Sequence, residues 1–170
     1  MSELKIILGD IVYPKSEGLV IPANLYGIMR GRISSKVVKA GWKGIEKEAK
    51  EVVNKKKLEI GDFFVTGPGR LKRRGVKKIY HSIVRRLPGD FTSINIVQKA
   101  LSNVSRQIIK DKISSVTFCG IGIECGGIEP YSVAMVVANV CNKLGLTLDV
   151  KIIDDNEEFI NGIKNILGIK

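Results

Sequence analysis

Short apolar or β-branched runs alternate along this chain with longer stretches of helical periodicity, and that alternation limits its possible folds more than any other feature. Six runs have the length and composition of strands: Lys5–Leu8, Gly18–Ile21, Phe63–Thr66, Lys78–Ile83, Ser115–Phe118 and Val150–Ile153. Gly, Pro or Asp bounds most of them. Between them, apolar residues recur at helical spacing. Ile45, Ala49, Val52 and Val53 share a face of "WKGIEKEAKEVVNK". Ile94, Val97, Leu101, Val104 and Ile108 form one stripe of "FTSINIVQKALSNVSRQIIK" after Asp90. Ser34 or Ser35 can cap "KVVKAG", Pro130 opens "PYSVAMVVANVCNKLG" with Gly145 as its stop, and "NEEFINGIKNILG" comes last. Strands alternating with helices imply an α/β fold whose mainly parallel sheet is covered on both faces. With 170 residues, no internal repeat and no linker, residues 1–170 are expected to form a single domain.

Apolar residues make up 44% of the chain, in the globular range, and no apolar run approaches the ~20 residues of a membrane helix. The opening "MSELKIILGD" reads as a first strand rather than a secretory leader, so the cytoplasm is the expected location. Cys119, Cys125 and Cys141 are odd in number, and His81 is the only histidine. That set does not suit a zinc centre; the expectation is reduced thiols, no metal and no cofactor.

The formal charge of +11 is confined to one part of the sequence. Residues 36–86 hold 16 Lys and Arg against 5 Asp and Glu, whereas the remainder holds 12 of each. Such a field favours anionic partners such as nucleotides, nucleic acid or another polyanion; a solvated lysine-rich surface has the same composition.

Ligands of open parallel sheets bind beyond the carboxyl ends of the strands, and three unusual loops follow strands here. The first is Gly9-Asp10-Ile11. The second, within "IPANLYGIMRGRIS", carries Asn24, Arg30, Gly31 and Arg32. The third, "CGIGIECGGIEP", places Gly120, Gly122, Gly126 and Gly127 between a strand and the helix opened by Pro130. Glycines let backbone N–H groups approach a phosphate, and the helix N-terminus favours negative charge. Glu124 opposes this unless it points outward. Asp10 can accept hydrogen bonds from a purine amine or simply satisfy its own turn. Asn24 can bind a ribose hydroxyl or form an Asx-type turn. Arg30 and Arg32 can grip a pyrophosphate as forks or stand exposed on a loop.

The order of these pieces resembles the macrodomain family of ADP-ribose-binding modules. The matching stretches are "GDI" (Gly9–Ile11), "VIPAN" (Val20–Asn24), "GRISSKVVKAG" (Gly31–Gly41), "GDFFVTGPGRLKRRGVKKIYHSI" (Gly61–Ile83) and the glycine loop after the fifth strand. The resemblance implies a three-layer α/β/α fold with a mixed, mainly parallel sheet and a cleft for ADP-ribose. By position, Asp10 is similar to the acid at the adenine amine, with Ile11 beside it. Asn24 is similar to the asparagine near the distal ribose, and Gly31 to the glycine loop beside that ribose. Gly120, Ile121, Gly122, Ile123, Glu124, Cys125 and Gly126 resemble the loop around the pyrophosphate. His81 is similar to a strand histidine that packs.

The chain departs from the family pattern at several points. Ile21 stands where relatives have the first asparagine of their motif. Arg30-Gly31-Arg32 replaces a glycine triplet, and Ser34 aligns with an aspartate of hydrolytic members. Asp154 occupies the place of an aromatic that stacks on adenine, and Phe159 can substitute only if the following helix brings it round. With no base in the second loop, the expectation is a binding module with weak or absent catalysis. Two alternatives stand beside it. One is binding of nucleic acid or a polyanion, poly(ADP-ribose) included, through "RLKRRGVKK" and Arg85-Arg86, driven by phosphates rather than base stacking because only Tyr80 interleaves. The other is hydrolysis of ADP-ribosyl groups or ADP-ribose-1″-phosphate.

Overall fold

The computed structural model describes residues 2–123 and 127–170. The chain runs β1 (Leu4–Leu8), β2 (Gly18–Asn24), α1 (Arg32–Gly41), α2 (Gly44–Lys55), β3 (Phe63–Thr66), a 3-10 turn (Gly69–Arg74), β4 (Lys78–Arg85), α3 (Ile94–Lys110), β5 (Ser115–Phe118), α4 (Pro130–Leu144), β6 (Asp149–Asp154) and α5 (Glu157–Leu167). The six strands form one sheet in the order β1-β6-β5-β2-β4-β3. Every neighbouring pair is parallel except β3 with β4, so the sheet is mixed and mainly parallel, as expected. Helices α1 and α2 pack with β2 and β3, while α3, α4 and α5 pack in series against β4, β6 and β1, completing a three-layer α/β/α fold. No helix of the described residues is long and apolar enough to cross a membrane.

The apolar runs lie inside because the central strands are covered on both faces. Ile79 to Val84 of β4 are all buried, as are Gly18 to Ile21 of β2. The stripe of α3 (Val97, Leu101, Val104, Ile108) and the inner residues of α4 and α5 (Val133, Val137, Phe159, Ile163) are fully buried against them. Tyr80 is buried whole; its hydroxyl donates to Asp111 Oδ2 at 2.7 Å, which satisfies the polar end of the ring.

Two boundaries differ from the sequence reading. Strand β2 continues through Pro22 to Asn24, whereas a stop was expected at Ile21. Strand β5 pairs with β2 only at Gly18 and Leu19, so Pro22 lies beyond that ladder and only β4 accompanies it. Helix α1 starts at Arg32, not after Ser34 or Ser35. Ser34 acts from inside the first turn: its Oγ accepts the Gly31 N–H at 3.0 Å, and the Gly31 carbonyl accepts from Ser35 N at 2.9 Å. Arg32 is therefore a helical residue, held in place by the first turn. At α3 the cap is Ser93, whose Oγ accepts from Ile96 N, while Asp90 closes its own turn through Leu87 N.

Candidate ligand cleft

The parallel register brings the carboxyl ends of β1, β6, β5 and β2 to one rim. Gly9 N donates to the Asp154 carbonyl at 2.9 Å, joining the ends of β1 and β6. Gly120 N, at the end of β5, donates to Asp154 Oδ2 at 2.8 Å. Leu25 N, just after β2, donates to the Arg86 carbonyl beyond β4 at 3.2 Å. The described starts of the three loops singled out in the sequence, at Gly9, Leu25 and Gly120, thus lie along one edge. A cavity of about 330 Å³ opens where strand order turns at β2 and β5, with Asn24, Arg30, Gly31, Arg32, Ser34, Gly120, Gly122 and Ile123 among its lining residues.

Asn24 is 5% exposed and spends most of its amide on its own loop. Oδ1 accepts from Tyr26 N at 3.0 Å and Ile28 N at 3.2 Å, and Nδ2 donates to the Ile28 carbonyl at 2.8 Å. This is the Asx-type turn; one amide hydrogen is left over for a ligand. Glu46 of α2 accepts from Met29 N at 2.6 Å and tacks the loop down further on.

The two arginines differ. Arg30 is exposed and has no ion pair among the described residues. Arg32 reaches across to the end of β6: Nη1 lies 3.0 Å from Asp154 Oδ1, Nη2 lies 3.4 Å from Oδ2, and Nη1 also bonds Asp155. Lys36, one turn further along α1, donates to Asp155 Oδ2 at 2.7 Å. Asp154 is 1% exposed and also accepts from Gly120 N and Asn156 N. Burial works to raise the Asp155 carboxyl, but the Lys36 hydrogen bond and the charges of Arg32 and Lys36 outweigh it and hold it below the usual carboxylate range. Lys36 is raised chiefly by its hydrogen bond to Asp155, with smaller help from the charges of Asp155 and Asp10. The expectation that Arg32 stands ready on a loop as a phosphate fork is corrected here, because its guanidinium is already engaged by carboxylates. Phe159 is fully buried in the core, so it cannot take the place of a stacking aromatic.

Asp10 closes an Asx turn with Val12 N at 3.1 Å and does not line the cavity, although its charge acts on Lys36. Ile11 and Ile121 are buried and also lie outside the lining. Gly122 has φ +92, and a Cβ there would press on Val97, Thr92 and Ile128, so no other residue fits that turn without strain. The expected ligand residues Glu124, Cys125 and Gly126 lie outside the described residues.

Sequence reasoning did not place Arg85 or the Pro88-Gly89 turn at the cleft, yet they are among its lining residues. The β2–β4 register sets Arg85 opposite Asn24, a pairing that periodicity along one strand does not encode. His81 faces the core: it is 1% exposed, its Nε2 meets Thr66 Oγ1 at 2.8 Å, and its ring stacks on Phe64 with centroids 4.4 Å apart. Burial pushes its pKa down to about 3, so it stays neutral near pH 7. Among the described lining residues there is no carboxylate and no imidazole. Cys119 and Cys141 are buried.

Glycine backbone and arginine side chains thus line one cavity at the turn of strand order in a mixed α/β/α sheet. The family model described as Macro domain matches residues 20–137, and the chain belongs to that family. It is 26% identical over 170 residues to an uncharacterized protein of Aquifex aeolicus, covering 99% of each chain. It is 30% identical over 133 residues to an uncharacterized protein of Sulfurisphaera tokodaii, covering 76% of this chain and 69% of the relative. Among solved structures, the macrodomain of Mycobacterium tuberculosis DarG superposes with a TM-score of 0.79 at 20% identity, over 90% of this chain and 98% of the other. The Oceanobacillus iheyensis macrodomain with ADP gives 0.80 at 18% identity, over 97% and 92%. Thermosipho africanus DarTG in complex with ADP-ribose gives 0.78 at 19% identity, over 92% of this chain and 43% of that one.

Proposed function

We infer that residues 1–170 form one macrodomain that binds ADP-ribose or a related ADP-ribosyl group in this cleft, acting in the cytoplasm, with hydrolysis weak or absent. The observation that carries the reading is the cavity at the ends of β2 and β5, where Gly120 and Gly122 backbone meets the arginines at positions 30 and 85. Membership of the macro domain family and the ADP and ADP-ribose complexes of its structural relatives support it. A sugar phosphate placed there has glycine backbone below it and two guanidinium groups at the mouth, while Asp10 at the neighbouring strand end is available to an adenine amine. Hydrolysis needs a group that orients or deprotonates water beside the sugar. Asn24 is largely committed to its turn and Ser34 to the helix start, so neither supplies that base.

Calorimetry with ADP-ribose, ADP and adenosine tests the binding claim. ADP-ribose is expected to bind more tightly than ADP, and adenosine alone only weakly. Folded protein that gives no heat with millimolar ADP-ribose refutes it. A sensitive assay for release of ADP-ribose from modified protein, or of phosphate from ADP-ribose-1″-phosphate, tests the catalytic claim. Robust turnover lost in Asn24→Ala overturns it.

A further inference from the structure

At the far end of α1 from the cleft stands Trp42, the only tryptophan of the chain, with 52% of its surface exposed. Ten residues of helix separate it from Gly31, about 15 Å at the usual rise. Its backbone sits at φ 85 and ψ 149, a conformation that bulky residues rarely adopt and that persists only where the surroundings enforce it. Here Trp42 N donates to the Val38 carbonyl at 2.8 Å and the Trp42 carbonyl accepts from Ile45 N at 3.2 Å, so the joint between α1 and α2 fixes it. The indole lies over Gly44, where a Cβ would come within 2.5 Å of a ring carbon. The ring is thus held in a set orientation on the surface without being buried.

Cations flank it along the chain. Lys39 lies three residues before it, Lys43 immediately after, and Lys47 one helical turn further on; all three are exposed. The 3-10 turn packs on the end of α1, with the Pro68 carbonyl and Leu71 against Gly41, and this brings the exposed Arg70 to the same region. None of these four cations has an ion pair among the described residues. The acids nearby are turned elsewhere. Glu46 holds Met29 N and Lys50, and Glu48 accepts from Gly67 N at 3.1 Å; only Glu51 is exposed, one turn beyond Lys47. Lys43 and Lys47 stand at the i,i+4 spacing where like charges repel, a cost to the isolated helix that a polyanion relieves.

Of the linear basic run, Arg70 belongs to this region and Lys72 and Arg73 are exposed, but the later cations are engaged elsewhere. Arg74 donates to the Val12 carbonyl at 2.5 Å and covers the Tyr13 ring, Lys77 pairs with Glu17 at 2.6 Å, and Lys78 pairs with Asp111 at 3.2 Å. Tyr80, the one aromatic interleaved with that run, is fully buried.

We propose that Trp42, with Lys39, Lys43, Lys47 and Arg70, is a platform for single-stranded nucleic acid, one base stacking on the indole while the cations hold the flanking phosphates. A set aromatic face beside a basic track is the arrangement that takes unpaired bases without reading their sequence, and a duplex offers it only phosphates. This surface is separate from the cleft and does not rest on the ADP-ribose reading.

Because Trp42 is the sole indole, its own fluorescence reports the contact. Oligo-dT titrated into the protein should quench it saturably. Binding through about four phosphates should weaken roughly 50-fold between about 50 mM and about 200 mM salt. By anisotropy of a labelled oligo-dT, Trp42→Ala should bind roughly tenfold more weakly and Trp42→Phe close to the native protein. The double change Lys43→Glu with Lys47→Glu, which leaves the joint intact, should weaken it further. ADP-ribose should leave both the emission and the oligonucleotide binding unchanged. The proposal is overturned by any of four results: no oligo-dT binding at low salt, native binding by Trp42→Ala, duplex binding as tight as single strand, or displacement of the oligonucleotide by ADP-ribose. Binding of poly(ADP-ribose) that free ADP-ribose abolishes, with no response to oligo-dT, assigns the polyanion to the cleft and also overturns it.

Discussion

Arg30 and Arg32 are two residues apart, and the two halves of the cleft divide between them. On the side of β2 and β4, the guanidinium groups of Arg30 and Arg85 have no ion pair among the described residues and stand beside glycine backbone. On the side of β6 and β1, Arg32 and Lys36 meet Asp154 and Asp155, and the charge of Asp10 acts on Lys36. The difference arises from where α1 begins. Arg32 falls in the first turn, where a cation opposes the helix dipole and no acid of the same turn offsets it. The offsetting carboxylates come instead from the end of β6, more than a hundred residues away in sequence. Identical side chains in "RGR" thus become a cation open to ligand and a clasp that ties helix to sheet. On the proposed reading, a phosphate in the cleft would meet Arg30 and Arg85 directly, whereas it would reach Arg32 only in competition with two carboxylates.

The largest effect is expected on the clasped side. Asp154→Ala removes a buried carboxylate that serves Arg32, Gly120 N and Asn156 N together. Breaking a buried pair by deleting one partner costs about 3–5 kcal/mol, and the half-buried guanidinium should keep the loss near about 3 kcal/mol in urea or thermal unfolding. A loss below about 1 kcal/mol makes the clasp an ordinary surface pair and breaks the comparison. The open side should show its effect in binding: Arg30→Ala and Arg85→Ala should each weaken ADP-ribose about tenfold by calorimetry, the size of one charge-assisted hydrogen bond, and leave stability unchanged. If Arg32→Ala abolishes binding while these two do not, the assignment of the halves is reversed.

Much of the frame was legible in the chain. All six strands lie where apolar, β-branched runs bounded by Gly, Pro or Asp put them, because burial on both faces demands such runs. The rim position of the three loops followed from strand alternation. The start of α1 was missed because two serines make strong caps on paper, while the observed helix uses Gly31 as cap and Ser34 from within. Arg85 was overlooked because its place depends on register between β2 and β4, and the fate of Arg32 was hidden because it depends on how α1 packs against the end of β6; no local pattern records either. Asp154 looked like a lost aromatic, yet it is the acceptor around which the closed half is organised.

A smaller effect sharpens the division. Asp155 is half exposed and joins Arg32 to Lys36 at the cleft edge. Asp155→Asn removes one negative charge from the approach of a phosphate and releases Lys36. At surface dielectric that is worth well under about 1 kcal/mol, so ADP-ribose should bind about threefold more tightly, opposite in sign to Arg30→Ala. Unchanged or weaker binding would mean that the closed half lies off the ligand's path.

The smallest effect is the pH dependence of that same pair. Asp155 is depressed in the folded protein, so its contribution is complete above the unfolded carboxylate value of about 3.9 and is lost as pH falls through the lower folded value. Lys36 is raised, so its share is complete below the ordinary lysine value of about 10.4 and is lost as pH rises through the higher folded one. Between about pH 5 and about pH 9 the stability difference between the native protein and Asp155→Asn should therefore be flat and under about 1 kcal/mol, as befits a solvent-screened pair. It should begin to shrink below about pH 4 and approach zero once the pH falls through the lower folded value, where the native carboxyl becomes neutral like the amide. Thermal unfolding of both proteins across that range measures it. A difference that slopes through neutral pH would implicate a group outside the clasp, and the closed half would then owe its stability to something other than these four charges.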